Sequence, residues 1–305
     1  MTLGEHIFLY CERGTNEALL AEPINAISNV AFLFAALVGL QLVLWRPREQ
    51  QSADQFLLCA LVFLIGLGSL AFHLFATQET ELLDVVPISV FMLVYLGFAL
   101  NRLLGVPPGF VLLLAIGFTA VMALTGQVKC WDGAIGIPGP GVEGVKQCLN
   151  GSIFYLPALV ALIVVGLILS ERGHRAAPWL LWAAAIFAVS VTLRSLDLAM
   201  CDKVLIEGRK VGTHFAWHML NGLALFLLLR ASLEGGPTCV SGAKIAPPLR
   251  DADEAKAETL VEAAPAVVPP PPKPLAERVA SATEEAAKED EAPEGEGERK
   301  AFFPA

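Results

Sequence analysis

F-L-L-C-A-L-V-F-L-I-G-L-G-S-L-A-F-H-L-F, residues 56–75, is a run of twenty residues without a single Asp, Glu, Lys or Arg. As a helix it rises ~30 Å, the thickness of a bilayer's hydrocarbon core. Working outward from it, six more apolar runs are bounded by charges, Gly and Pro. The full set is Ile24–Trp45, Phe56–Phe75, Leu82–Leu104, Phe110–Leu124, Ile153–Leu169, Pro178–Leu193 and Thr213–Leu229. Composition agrees, with 55% hydrophobic residues, 17% charged residues and a mean hydropathy of +0.61. A soluble protein has roughly 45–50% apolar and ~25% charged residues. The sequence therefore predicts an all-α integral membrane protein. Its seven-transmembrane helix bundle spans residues 23–234, after an N-terminal segment at 1–22 and before a disordered acidic C-terminal tail at 235–305.

The formal net charge of −9 is unevenly spread, because residues 236–305 hold 14 acidic and 8 basic side chains. That acidic balance argues against nucleic-acid binding. The tail is rich in Ala, Glu, Pro and Lys, with a proline run at Pro269–Pro272. Such a composition buries too little apolar surface to offset the entropy of ordering it. A Gly/Pro-rich stretch, Gly133–Gly144, reads as an irregular surface loop; it lacks the Lys and hydroxyl that end a phosphate-binding loop. The polar stretch before the first span lacks the marks of a cleavable signal peptide, so that span is expected to stay in the mature protein.

Seven spans put the termini on opposite faces. Loop arginines and lysines are nearly balanced between the faces, so the positive-inside rule does not decide orientation. Cysteines are more informative. Cys11, Cys130, Cys148 and Cys201 all fall on the N-terminal face, which suggests two disulfides in an oxidising compartment. The N terminus is thus expected outside, in periplasm or lumen, and the tail in the cytoplasm.

Polar residues inside hydrocarbon cost at least a few kcal/mol and usually face a partner or a cavity. Three clusters matter here. G-L-G-S-L-A-F-H places Ser69 and His73 four residues apart, on one helix face. E-T-E-L-L-D-V-V-P places Asp84 in the expected opening turn of the third span, where the helix dipole favours a carboxylate. G-T-H-F-A-W-H places His214 and His218 four apart at the start of the seventh span. The second span ends, and the third and seventh begin, on the N-terminal face, so all five residues share one depth. Three imidazoles with a fourth position open make a usual catalytic zinc arrangement. A neighbouring carboxylate can manage the proton of an attacking water. Taken singly, each piece has a blander reading: a serine bonded to the carbonyl one turn back, a polar interfacial histidine pair, a helix-capping aspartate. His6 and His174 lie in water-facing segments.

These motifs resemble those of the alkaline ceramidase family, part of a seven-span superfamily of metal hydrolases that includes adiponectin/progestin receptor-like proteins. The resemblance rests on Ser69-x-x-x-His73, on L-L-D at Leu82–Asp84 and on H-F-A-W-H at His214–His218. It extends to Y-C-E-R before the first span, A-E-P-I-N-A-I-S-N-V entering it and L-R-S-L-D-L-A-M-C ending the sixth, covering roughly residues 10–230. Trp217 inside the last histidine pair favours the ceramidase branch. The resemblance implies zinc-dependent hydrolysis of the amide bond of a ceramide-like lipid to a fatty acid and a sphingoid base. His73, His214 and His218 would hold zinc, Asp84 would deprotonate or orient the attacking water, and Ser69 would hydrogen-bond the water or the developing oxyanion. It also implies calcium held before the first span by Glu12 and Glu22, with Asn16 as a substitute ligand. Leu9, Gly14 and a spacing to Glu22 shortened by one residue depart from that pattern, and the alternative is that the glutamates are solvated or cap the first span. A disulfide from Cys11 to Cys201 is implied, leaving Cys130 with Cys148. The rivals are a receptor-like member with a structural metal, a haem electron carrier and a transporter. Two histidines on one helix face disfavour axial haem ligation from opposite sides, and a transporter would carry further mid-span carboxylates.

Overall fold

The computed structural model describes residues 4–138 and 144–235. The tail expected to be disordered, and the tip of the Gly/Pro-rich stretch, lie outside the described residues. Among the described residues, seven helices are long and apolar enough to cross a membrane: α1 (Pro23–Leu44), α2 (Ala53–Phe75), α3 (Gln78–Leu103), α4 (Pro108–Gly126), α5 (Leu149–Glu171), α6 (Ala177–Leu196) and α7 (His214–Ser232). The chain is a multi-pass membrane protein. The longest packing seams run between α2 and α3 and between α6 and α7, and α1 contacts both α2 and α7.

Burial is inverted relative to a soluble bundle. Phe34, Leu112, Leu113 and Leu124 face outward, whereas Asn25, Gln55, Ser69, His73 and Asp84 are buried. In hydrocarbon this order is the favourable one, since polar groups find partners only inside the protein.

Local chemistry sets where the helices start and stop. Ala76 takes a left-handed conformation (φ 48°) and donates its N–H to the Phe72 carbonyl, ending α2. The Thr77 side chain then accepts from the Thr80 N–H and starts α3 at Gln78, four residues before the apolar boundary at Leu82. This corrects one expectation. Asp84 lies in the second turn of α3, beyond the first turn in which the helix dipole is strong.

Two glycines let helices meet backbone to backbone. A Cβ on Gly68 would sit 1.9 Å from the Leu83 carbonyl oxygen, so α2 touches α3 beside Ser69 and Asp84. A Cβ on Gly222 would lie 2.9–3.1 Å from atoms of Ala31, which brings α7 against α1 one turn below His218.

The stretch expected as irregular loop contributes to a small antiparallel sheet. Strands β1 (Lys129–Trp131), β2 (Gly136–Pro138) and β3 (Val145–Cys148) pair in the order β1-β3-β2. Gly136 permits it, because a Cβ there would fall 2.3 Å from the Gln147 carbonyl oxygen. A Cys130–Cys148 disulfide staples this sheet. A second disulfide, Cys11–Cys201, fastens the N-terminal segment to the α6–α7 connection. Among the described residues the remaining cysteine is Cys59, buried in α2. Non-reducing peptide mapping of freshly isolated membranes should therefore recover both linked peptide pairs, with Cys59 alkylated only after denaturation. Free thiols at Cys11, Cys130, Cys148 and Cys201 would contradict the arrangement.

Candidate metal centre

His73 near the end of α2 and His214 and His218 at the start of α7 converge, each at most 1% exposed. They offer ligand atoms that all lie within 4.8 Å of one another. Hydrogen bonds fix which nitrogens face inward. His73 Nδ1 is 2.7 Å from a Glu22 carboxylate oxygen, which can only accept, so Nδ1 carries the proton and Nε2 keeps its lone pair. Ser28 donates its one hydroxyl proton to the Asn25 carbonyl at 2.7 Å. Its oxygen therefore accepts from His218 Nδ1, also at 2.7 Å. Both imidazoles are thereby set in the same tautomer, with their Nε2 atoms 3.2 Å apart.

Two lone pairs facing each other at that distance repel unless a cation lies between them. A tetrahedral metal with bonds of ~2.0–2.1 Å would hold two nitrogens about 3.3 Å apart. The donor set and its spacing thus fit an ion such as zinc. Carboxylate and hydroxyl partners on the outer imidazole nitrogens are the usual means of orienting metal-binding histidines.

His214 is positioned differently. Its Nδ1 is buried with no hydrogen-bond partner among the described residues, and its ring stacks on Tyr10 at a centroid distance of 3.6 Å. Tyr10 is in turn held by Arg194, whose guanidinium donates to the phenol oxygen at 3.3 Å. Burial pushes the Tyr10 phenol well above its ordinary range, so it stays neutral. Asp197 supplies the cap that α7 lacks locally, accepting from the Thr213 and His214 N–H groups at 2.7 and 2.9 Å and from Cys11 at 2.9 Å.

Ser69 and Asp84 are both buried, and the close contact of Gly68 with the Leu83 carbonyl brings their helices together beside them. All five residues singled out in the spans are thus gathered at one end of the bundle.

The expected calcium ligands do not form a cation site. Glu12 caps α1, its two oxygens accepting the Ile24 and Asn25 N–H groups at 2.9 and 2.8 Å. The Asn16 side-chain oxygen accepts the Ala18 N–H at 2.9 Å. Glu22 is engaged by Arg13, Asn25 and His73. Burial pushes its carboxyl up, but these hydrogen bonds outweigh burial and hold it below the ordinary carboxylate range. The positive charge beside Glu22 is a guanidinium, so the donor set does not fit calcium.

Sequence reasoning missed Ser28, Tyr10, Arg194 and Asp197, and gave Glu22 a different task. Glu22 and Ser28 did carry a signal, as polar residues at the mouth of an apolar run.

Fold and site together define a seven-span membrane protein built around a buried three-histidine centre. The chain belongs to the ceramidase family, matching it over residues 9–233. No individual curated relative matches it. Because Ser28 fixes the His218 tautomer, Ser28→Ala should weaken metal affinity about tenfold or more in a chelator competition, as loss of such partners typically does. Unchanged affinity would show that the hydroxyl does not orient the ligand.

Proposed function

We propose that the chain is a zinc-dependent amidase that cleaves ceramide-like lipids into a fatty acid and a sphingoid base. The observation that carries this reading is the pair of Nε2 atoms fixed 3.2 Å apart, with Ser69 and Asp84 buried where α2 touches α3. Zinc bound by His73, His214 and His218 would polarise the amide carbonyl and acidify water.

The chain's own residues supply the proton handling. Asp84 accepts the proton of the water that adds to the carbonyl carbon. It returns that proton to the nitrogen as the carbon–nitrogen bond breaks, releasing a neutral amine. Ser69, buried on α2 where that helix touches α3, would hydrogen-bond the water or the developing oxyanion.

A largely apolar cavity between the helices supports a lipid substrate. Its wall includes Ile65, one turn from Ser69, Ile88, one turn from Asp84, and Asn221, less than a turn from His218. Along α3 it continues from Ile88 to Ala99, ~16 Å at helical rise. A chain entering there would leave its amide near the histidines. The two disulfides at this end support an extracytoplasmic N terminus and a cytoplasmic C terminus. Residues 23–234 would form the catalytic domain, with the 1–22 segment anchored to it and the 235–305 tail outside the chemistry.

Asp84→Asn keeps size and hydrogen bonding but cannot accept a proton at neutral pH. Loss of general acid–base assistance typically costs ~10²–10⁴-fold. The variant is expected to keep one zinc per chain by elemental analysis while kcat on ceramides falls at least about a hundredfold. Near-normal turnover with zinc bound would defeat the role of Asp84. Absence of hydrolysis by the unmodified protein across chain lengths would favour a receptor-like member with a structural metal.

A further inference from the structure

Arg13 is 3% exposed, at the foot of the α2 helix that carries His73. A guanidinium has five N–H donors in a fixed fork, and all five are met by oxygen. Nε donates to Glu22 Oε1 at 2.5 Å. Nη1 donates to the Asn16 and Ala18 carbonyls, each at 3.1 Å. Nη2 donates to the His73 and Leu74 carbonyls at 2.8 and 3.3 Å. One carboxylate and four backbone carbonyls are the ligand type that hard divalent cations take. Here a side chain fills that role.

Two of those carbonyls are among the last of α2, which lack partners within the helix and carry its negative dipole end. Arg13 therefore grips His73 twice. It binds the backbone carbonyl directly, and it holds Glu22, whose other oxygen fixes the imidazole.

We propose that Arg13 is a built-in cation that replaces an exchangeable divalent ion at this position, and that it is a positioning residue for the metal ligand His73. The inference rests on the metal reading of the triad. It makes the centre permanently assembled once the chain has folded, with no requirement for a hard cation in solution. The Cys11–Cys201 disulfide, two residues from Arg13, keeps the segment in place.

The test uses full-length protein in detergent, with zinc affinity measured by chelator competition, a quantity independent of any lipid assay. Arg13→Ala is expected to lose about 10–100-fold in zinc affinity, the range for removing a partner of a metal ligand. Guanidinium ion added at millimolar concentration should recover part of that loss, and sodium or ammonium should not. Arg13→Lys serves if the alanine variant does not fold. Its three donors cannot meet five acceptors, and affinity should again fall. Calcium titrated into the zinc-loaded unmodified protein up to about a millimolar, the weak end of oxygen-ligand sites, should neither bind nor alter zinc affinity. Unchanged zinc affinity in the folded variants, a loss that guanidinium leaves in place, or calcium binding by the unmodified protein would each overturn the proposal. Because the readout is zinc, a protein that failed to cleave ceramide would leave this result standing.

Discussion

Glu22 joins the two halves of the site's framework. One carboxylate oxygen takes the Arg13 guanidinium at 2.5 Å, and the other takes His73 Nδ1 at 2.7 Å, all at most 3% exposed. In water such contacts are worth little, but an unpaired charge at this depth would cost several kcal/mol. Removing either partner leaves the others stranded, so the N-terminal segment, α1 and α2 are coupled through one side chain. That coupling explains why a short segment outside the membrane bears on a ligand inside it. The disulfide from Cys11 to Cys201 then connects the same segment to the start of α7.

The rest of the site follows the same requirement, that polar groups removed from water must find one another. Arg194 satisfies it with the Asn150 carbonyl, the Ser152 hydroxyl and Tyr10, so the 3₁₀ opening of α5 is held to α6. Ser190 donates to the Trp217 carbonyl between the histidines of α7. These bonds fix the backbone around His214 and His218 from the outside, which leaves their rings free to face inward. Close glycine contacts do complementary work, setting how far apart the helices stand.

Much of this was legible in sequence. Apolar runs gave the seven spans, and the i, i+4 spacing of Ser69 with His73 and of His214 with His218 gave shared faces. The helix directions then gave a common depth. What stayed hidden depends on pairings across long separations. Ser28 meets His218 across 190 positions, and Asp197 caps a helix that begins seventeen residues later. Nothing local to Arg13 says that its acceptors include carbonyls sixty residues away. Asp84 was placed on the right helix but in the wrong turn, because hydropathy marks where the membrane starts while Thr77 decides where the helix does. The short sheet escaped notice since strands of three or four residues carry no useful periodicity, and a disulfide rather than a pattern of side chains staples them.

Coordination ties the metal ligand to the guanidinium. Glu22 takes Arg13 on one carboxylate oxygen and His73 on the other. Were Arg13 a neutral residue, Glu22 would lose its charge partner beside a helix end that already carries a negative dipole. A hard cation at that place would supply both positive charge and a centre for the surrounding oxygens. With Arg13 in place, such an ion would have to displace five satisfied N–H donors.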